Sequence, residues 1–260
     1  MNGAALPDAL TIRGLRATYL EHGRELPVLD RIDLTIGPGE FVAIIGPSGS
    51  GKSTLLDVVA GLTEPAAGEI ALGGVLLSTQ ARLSRSSYMK QRDLLLPWRT
   101  VVQNAAVALE AAGIPRRAAR ERALIRLQEF GLDEFASAYP AQLSGGMRQR
   151  VAFVRTLLAG CPLLLLDEPF GALDALTRAV MQAWLMDQIA RGGQAAALVT
   201  HDVEEAILLA DRVVVFSPRP AVIANIVSIP EPRPRRRAFT ASVEFVALKR
   251  TVLDALGMLA

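Results

Sequence analysis

The segment Ile44-Ile-Gly-Pro-Ser-Gly-Ser-Gly-Lys-Ser-Thr-Leu-Leu56 places three glycines, a lysine and several hydroxyl residues between two apolar runs. Phe41 to Ile45 reads as a short buried strand, and Ser53 to Ala60 as the first turns of a helix, so the glycine-rich stretch lies at a strand-to-helix junction. Such a junction is an anion site. Helix N-terminal N–H groups carry partial positive charge, and Gly46, Gly49 and Gly51 let the backbone curl around phosphate oxygens without Cβ clashes. Lys52 reaches the β- and γ-phosphates of a bound polyphosphate, and the Ser53 hydroxyl is placed to ligate Mg²⁺. The G-x-x-x-x-G-K-S pattern in this context predicts nucleoside triphosphate binding over a merely flexible Gly/Ser turn.

The 260 residues are enough to bury a sizeable core, and the chain is expected to form one domain with a lobe or tail added. Hydrophobic residues make up 51% of the chain, yet no apolar run approaches the ~18 residues that cross a bilayer, so a membrane-spanning protein is not expected. The apolar residues come in bursts, such as Leu163 to Leu166 and Val213 to Phe216, that suit parallel strands covered on both faces. That pattern points to an α/β fold. The opening "MNGAALPDAL" lacks a basic region followed by an apolar one, so it does not read as a secretory signal. A cytosolic location is expected, and the lone Cys161 is compatible with it. A net charge of +2 favours neither nucleic acid nor acidic partners.

Along the chain, residues 10 to 90 read mostly as strands around the phosphate-loop helix. Residues 100 to 160 carry helical spacing, with Pro115 at a helix start and Gly131 at a stop, and form a helical subdomain inserted in the α/β core. Its five arginines from Arg116 to Arg126 are interleaved with Glu121, which marks a solvated helix face more than a nucleic-acid contact. Strands and helices alternate again to Phe216. The proline-rich "SPRPAVIANIVSIPEPRPRRR" then breaks the pattern, and "TASVEFVALKRTVLDALG" reads as a final amphipathic helix. The expected organisation is a nucleotide-binding domain over 1–217 and a short extension over 218–260.

Leu163-Leu-Leu-Leu-Leu-Asp-Glu-Pro169 is a buried strand ending in two carboxylates. Asp167 is placed to hold Mg²⁺ through water, whereas Glu168 points toward the γ-phosphate and is the candidate general base for an attacking water. His201, in "LVTHDVEEA", also ends an apolar strand, where it is either structural or a γ-phosphate sensor. The segment Leu143-Ser-Gly-Gly-Met-Arg-Gln-Arg150 supplies a second helix N-terminus: Ser144, Gly145 and Gly146 precede an apolar helical pattern and offer exposed N–H groups and a hydroxyl.

On these residues the sequence resembles an ATP-binding cassette (ABC) ATPase, with "GPSGSGKS" as Walker A, "LSGGMRQR" as signature and "LLLLDEP" as Walker B, over roughly residues 10 to 216. The resemblance implies a P-loop core with an antiparallel β subdomain and a helical subdomain, using ATP and Mg²⁺. It implies that Gly46, Pro47, Ser48, Gly49, Ser50 and Gly51, with Lys52, Ser53 and Thr54, cradle the nucleotide. Tyr19 would stack on adenine, though a plain strand-edge tyrosine fits as well. Gln91 would be the Q-loop glutamine contacting Mg²⁺ and the water, Asp174 the D-loop aspartate and His201 the switch histidine. Cassettes pair head to tail, so Ser144 and Gly146 would close on ATP held by Lys52 of a second copy. Met147 stands where many cassettes have glutamine, but the Ser-Gly-Gly grip is intact.

The stretch Leu94-Leu-Leu-Pro-Trp98 places large apolar groups beside Gln91, as core or as a dock for a partner helix. In ABC transporters this region receives the permease's coupling helix. More narrowly, "QRDLLLPWRTVVQNA", "DEPFGALDALTR" and the proline-arginine tail resemble the ATPases of nitrate, sulfonate and taurine importers and of importers for pyrimidine thiamine precursors. That implies a bacterial importer subunit, peripheral on the cytoplasmic face of the cell membrane, with a permease as partner and an extracytoplasmic solute-binding protein acting indirectly. An exporter, a lipoprotein-extraction ATPase and a non-transport cassette share the main motifs and stay as alternatives.

Overall fold

The computed structural model describes residues 7–21 and 23–257, which form two compact units. One combines the segment ending at Ser86, Pro162–Asp167 and the segment from Gln182 onward; the other combines Ser87–Cys161 and Glu168–Met181. The chain begins with strands β1 (Leu10–Glu21), β2 (Arg24–Ile36) and β3 (Phe41–Ile45), then helix α1 (Lys52–Val59). Next come β4 (Ala67–Leu72), β5 (Val75–Leu76), α2 (Thr79–Arg82) and β6 (Ser86–Met89). Helices α3 (Val101–Ala105), α4 (Val107–Ala111), α5 (Arg116–Glu129) and α6 (Gly145–Leu158) follow. The remainder is β7 (Leu163–Asp167), α7 (Ala175–Gly192), β8 (Ala195–Val199), α8 (Val203–Leu209), β9 (Arg212–Phe216), β10 (Ile223–Ser228) and α9 (Val243–Ala255).

The first unit holds two sheets. One is antiparallel, in the order β2-β1-β4-β5. Its strands alternate as half-buried strands must: Ile32, Leu34 and Ile36 face inward while Arg31, Asp33 and Thr35 face out. In the other, the strands of this unit run β10-β9-β3-β8-β7. β3 pairs in parallel with β8 and β9, and β7 with β8. Every residue of β3, β7 and β8 is buried, the signature of parallel strands covered on both faces. Their register aligns Asp167 with Val199, and Val199 with Ile44. Gly46, Asp167 and His201 therefore leave the sheet at one end, the carboxyl ends of the strands, where ligands bind in open parallel sheets.

β10 is an addition to the sequence reading. The proline-bearing segment was expected to break the pattern, but Pro220 and Pro230 flank a strand that pairs antiparallel with β9, Ile226 opposite Val214. Prolines bound an edge strand without interrupting it. The arginines that follow tie the extension down. Arg233 forks onto both Asp211 carboxylate oxygens at 2.7 Å and donates to Gly39 O at 2.8 Å. Arg235, buried, donates to Ile207 O, Leu208 O and Ala210 O at 2.9, 3.3 and 2.6 Å, occupying the orphan carbonyls at the end of α8. Burial pushes its pKa down to about 10, against the pull of Asp211, so it stays protonated at neutral pH. α9 buries Phe245 and Val252, and Lys249 Nζ donates to Glu204 Oε1 at 2.6 Å in the first turn of α8.

The second unit is largely helical. The helical spacing expected from residue 100 onward is realised first as two short helices, α3 and α4, divided at Ala106. Thr100 and Gln103 form a reciprocal cap at the start of α3. α5 starts after Pro115, and Gly131 takes φ +62° just beyond its end. Arginines of α5 pair with acids: Arg117 with Glu121 at 3.0 Å and Arg126 with Glu129 at 2.7 Å. Among the described residues no helix is long and apolar enough to cross a membrane.

Candidate nucleotide site

In the first unit, the loop from Gly46 to Gly51 joins β3 to α1. Gly49 and Gly51 have φ of +75° and +106°, conformations glycine adopts at little cost. Packing adds a second demand. A Cβ on Gly46 would lie 2.9 Å from Phe216 Cβ and O, and one on Gly51 would lie 2.6 Å from Val28 Cγ1. These glycines let the loop sit against the end of β9 and against β2. Lys52, 8% exposed, donates from Nζ to Gly46 O and Pro47 O, each at 2.8 Å. The ammonium is thus folded back onto its own loop at the start of α1.

Pro47, Ser48 and Gly49 are exposed, whereas Ser50 is buried. Ser53 is exposed in the first turn of α1. Tyr19, 39% exposed near the end of β1, donates from its hydroxyl to Thr54 Oγ1 at 3.4 Å, so its ring is placed beside the same helix start. Asp167 is buried at the last position of β7, and His201 is exposed two residues beyond β8. The Ser53 hydroxyl and the Asp167 carboxylate are hard oxygen donors. Two such oxygens leave places for phosphate and water, the ligand set in which Mg²⁺ is bound at nucleotide sites, so these residues fit the ion.

The second unit brings together Gln91 and Glu168, distant in sequence: Gln91 Nε2 donates to Glu168 Oε2 at 3.0 Å. Glu168 has φ +47°, an uncommon backbone conformation for a residue with a Cβ, and its carbonyl accepts from Gly171 N at 3.3 Å in a tight turn. Ser144 caps α6, its Oγ accepting from Met147 N at 3.2 Å. Here the glycines are not required by packing: a Cβ on Gly145 would meet only Arg148 Nη2 at 3.9 Å, and one on Gly146 would make ordinary contact with Leu173 at 3.5 Å. Asp174 accepts from Thr177 N at 3.0 Å and Leu176 N at 3.1 Å. The Thr177 backbone bond, aided by its hydroxyl, holds the Asp174 carboxyl below its usual pKa. It caps α7, a role the sequence reading did not assign.

Residues 29–171 match the ABC transporter family. The chain belongs to that family. It is 45% identical over 250 residues to the aliphatic sulfonates import ATP-binding protein SsuB 1 of Rhodococcus jostii, covering 95% of each chain. It is 48% identical over 236 residues to the SsuB 1 of Mesorhizobium japonicum, covering 88% of this chain and 83% of that one. With the taurine import ATP-binding protein TauB of Chromobacterium violaceum it shares 41% over 236 residues, 89% and 90% of the two chains. A solved dimeric structure of MJ0796, a bacterial ABC transporter cassette, superposes with a TM-score of 0.77 at 30% identity, over 86% of this chain and 100% of that one.

In this ABC ATPase the stretch after Gln91 is surface, not core. Leu94 and Trp98 are 51% and 71% exposed, and only Leu95 is buried. The residues that hold this loop escaped the sequence reading. Asn104, wholly buried at the end of α3, donates from Nδ2 to Leu96 O, Arg99 O and Thr100 O and accepts from Leu96 N at 2.7 Å. From α6, Arg155 donates to Leu94 O at 2.8 Å and Asp93 O at 2.6 Å, and Arg148 Nε donates to Asp93 Oδ2 at 3.1 Å. The helix that begins at Ser144 therefore carries the loop that presents Trp98. An asparagine inside an apolar helix was the available sign; the arginine contacts had none.

Proposed function

We propose that this cassette is the ATP-hydrolysing subunit of a bacterial importer for small sulfonate-type anions, working as a head-to-tail pair beneath a membrane permease. The observation that carries the reading is the short loop from Gln91 to Trp98, bonded to Glu168 at one end and presenting exposed Leu94 and Trp98 at the other. The import names of relatives matched over most of their length support the direction of transport and the solute class. Nitrate and pyrimidine precursors belong to the same group of expected solutes. The subunit would sit peripherally on the cytoplasmic face, with a solute-binding protein acting on the far side of the permease.

In the proposed cycle, Lys52 exchanges the carbonyls of Gly46 and Pro47 for the β- and γ-phosphates of ATP, and the α1 N-terminus holds the same charge. Ser53 and Asp167 would hold Mg²⁺, which when bound neutralises phosphate charge. Glu168, the residue after Asp167, accepts a proton from a water whose oxygen attacks Pγ while the bond to the ADP oxygen breaks. Gln91 orients the carboxylate. Ser144, Gly145 and Gly146 of a second copy supply hydroxyl and N–H groups to the γ-phosphate, and Asp174, His201 and the adenine-facing Tyr19 complete the site. Closure pulls α6, and with it the Leu94–Trp98 dock, against the permease.

The test is uptake of labelled taurine and of short alkanesulfonates in cells carrying the intact gene, a deletion or Lys52→Ala. Loss of uptake in the latter two, with ATPase activity lost in the purified Lys52→Ala protein, is expected. Undiminished uptake of every sulfonate would overturn the solute class, and undiminished hydrolysis would overturn the phosphate-loop assignment.

A further inference from the structure

The loop after β9 is tied to the phosphate loop by a side chain that no cassette motif of the sequence includes. Arg219 donates to the Gly49 carbonyl from both Nε, at 3.0 Å, and Nη2, at 2.7 Å. Its own loop is held at both ends. Ser217 N donates to Val222 O at 3.1 Å and Ser217 Oγ accepts from Val222 N at 3.0 Å. Ala221 is bridged to β2, donating to Val28 O at 2.8 Å and accepting from Asp30 N at 2.9 Å. Val28 in turn lies against Gly51, and Phe216 against Gly46. The guanidinium is thus aimed from a rigid support, although the side chain itself is exposed.

We infer that Arg219 is a positioning residue for ATP binding, fixing the Gly49 peptide so that the loop's N–H groups face the phosphates. The inference rests on the phosphate-loop reading above. Without nucleotide, Lys52 Nζ occupies Gly46 O and Pro47 O. Once Lys52 turns to the phosphates, those two bonds are released at the moment the loop must hold its shape. The Arg219 fork is not released, because its acceptor is neither a phosphate ligand nor a partner of Lys52. The peptide that carries the Gly49 carbonyl is then held at both ends, its oxygen by Arg219 and its N–H, that of Ser50, by Pro47 O at 3.2 Å, so its plane is fixed and the loop is preorganised for the anion.

The experiment measures the affinity of the non-hydrolysable analogue AMP-PNP, with thermal melts, for wild type, Arg219→Ala, Arg219→Gln, Arg219→Lys and Lys52→Ala. Arg219→Ala should bind about three- to tenfold more weakly, as suits one exposed charge-assisted bond. Arg219→Gln keeps a donor for Gly49 O without the charge and should recover most of the affinity, with Arg219→Lys between. The loss should persist in high salt. Wild-type affinity in Arg219→Ala overturns the inference. So does a glutamine variant as weak as alanine whose deficit closes as salt rises, since charge attraction to the phosphates then explains the effect. If Arg219→Ala melts too early to assay, the glutamine variant at wild-type melting temperature decides. Lys52→Ala should lose binding in every case; if it binds normally, the phosphate-loop reading itself fails.

Discussion

Gln91 and Glu168 are joined by a 3.0 Å hydrogen bond, and the carboxylate is carried on a backbone at φ +47° that a side chain adopts only when its surroundings insist. The bond directs Glu168 Oε2 toward Gln91. Glu168→Gln preserves shape and still accepts from Gln91, but removes the base. Hydrolysis should fall by about 10²- to 10⁴-fold while ATP binding is retained. Single-turnover hydrolysis beside a binding titration checks this; a variant that hydrolyses within threefold of wild type removes Glu168 from the role.

Trp98 is 71% exposed, which turns an ambiguity of the sequence into a sharp expectation. A buried tryptophan truncated to alanine costs about 3–5 kcal/mol. This one should cost well under 1 kcal/mol, since surface substitutions are usually near neutral. Trp98→Ala should therefore melt with wild type and hydrolyse ATP alone at the wild-type rate, yet fail to support uptake with its permease. A melting temperature lowered by several degrees would return Trp98 to the core.

The phosphate loop, both carboxylates and the helix start at Ser144 were legible because their chemistry is local: a few consecutive residues determine glycine placement, cap and charge. What lay hidden depends on partners far along the chain. Gly46 and Gly51 read as phosphate glycines, but their packing against Phe216 and Val28 follows only from the register of β9 and the course of β2. Likewise, "RPRRR" reads as a charged tail until Asp211 and the end of α8 are seen to accept from its first two arginines, Arg233 and Arg235. β10 was obscured by prolines that bound it, and the break at Ala106 has no helix-breaking residue to announce it.

Arg235 yields a stability prediction. It is 4% exposed and its guanidinium serves three carbonyls at the end of α8, the helix that begins two residues after His201. Removing it strands those acceptors in a water-poor setting, at about 1–3 kcal/mol for an unsatisfied buried group. Arg235→Ala should lower the melting temperature by roughly 5–10 °C, with Arg235→Lys intermediate because an ammonium cannot reproduce the planar fork. The exposed neighbour Arg236 supplies the control: Arg236→Ala should melt with wild type. Equal melting temperatures for the two alanine variants would mean that the α8 carbonyls are satisfied without Arg235.

The open helix end at Ser144 carries the last prediction. Its glycines have no intrachain packing reason to be glycine, which is how a surface that must approach a phosphate is expected to look. If that phosphate belongs to ATP on a second copy, nucleotide becomes the adhesive between two chains. Wild type hydrolyses it and reopens, whereas Glu168→Gln retains it, so ATP with Mg²⁺ stabilises the closed pair by mass action. Gel filtration should show Glu168→Gln as a dimer in ATP and as a monomer or weak dimer without it. Adding Ser144→Arg puts bulk at the cap and should abolish the dimer, while leaving each chain's own ATP affinity within about twofold, because Lys52 and its loop are untouched. A double variant that still dimerises in ATP, or that loses nucleotide binding as a monomer, would refute closure across two chains and place the Ser144 helix in a site formed within one.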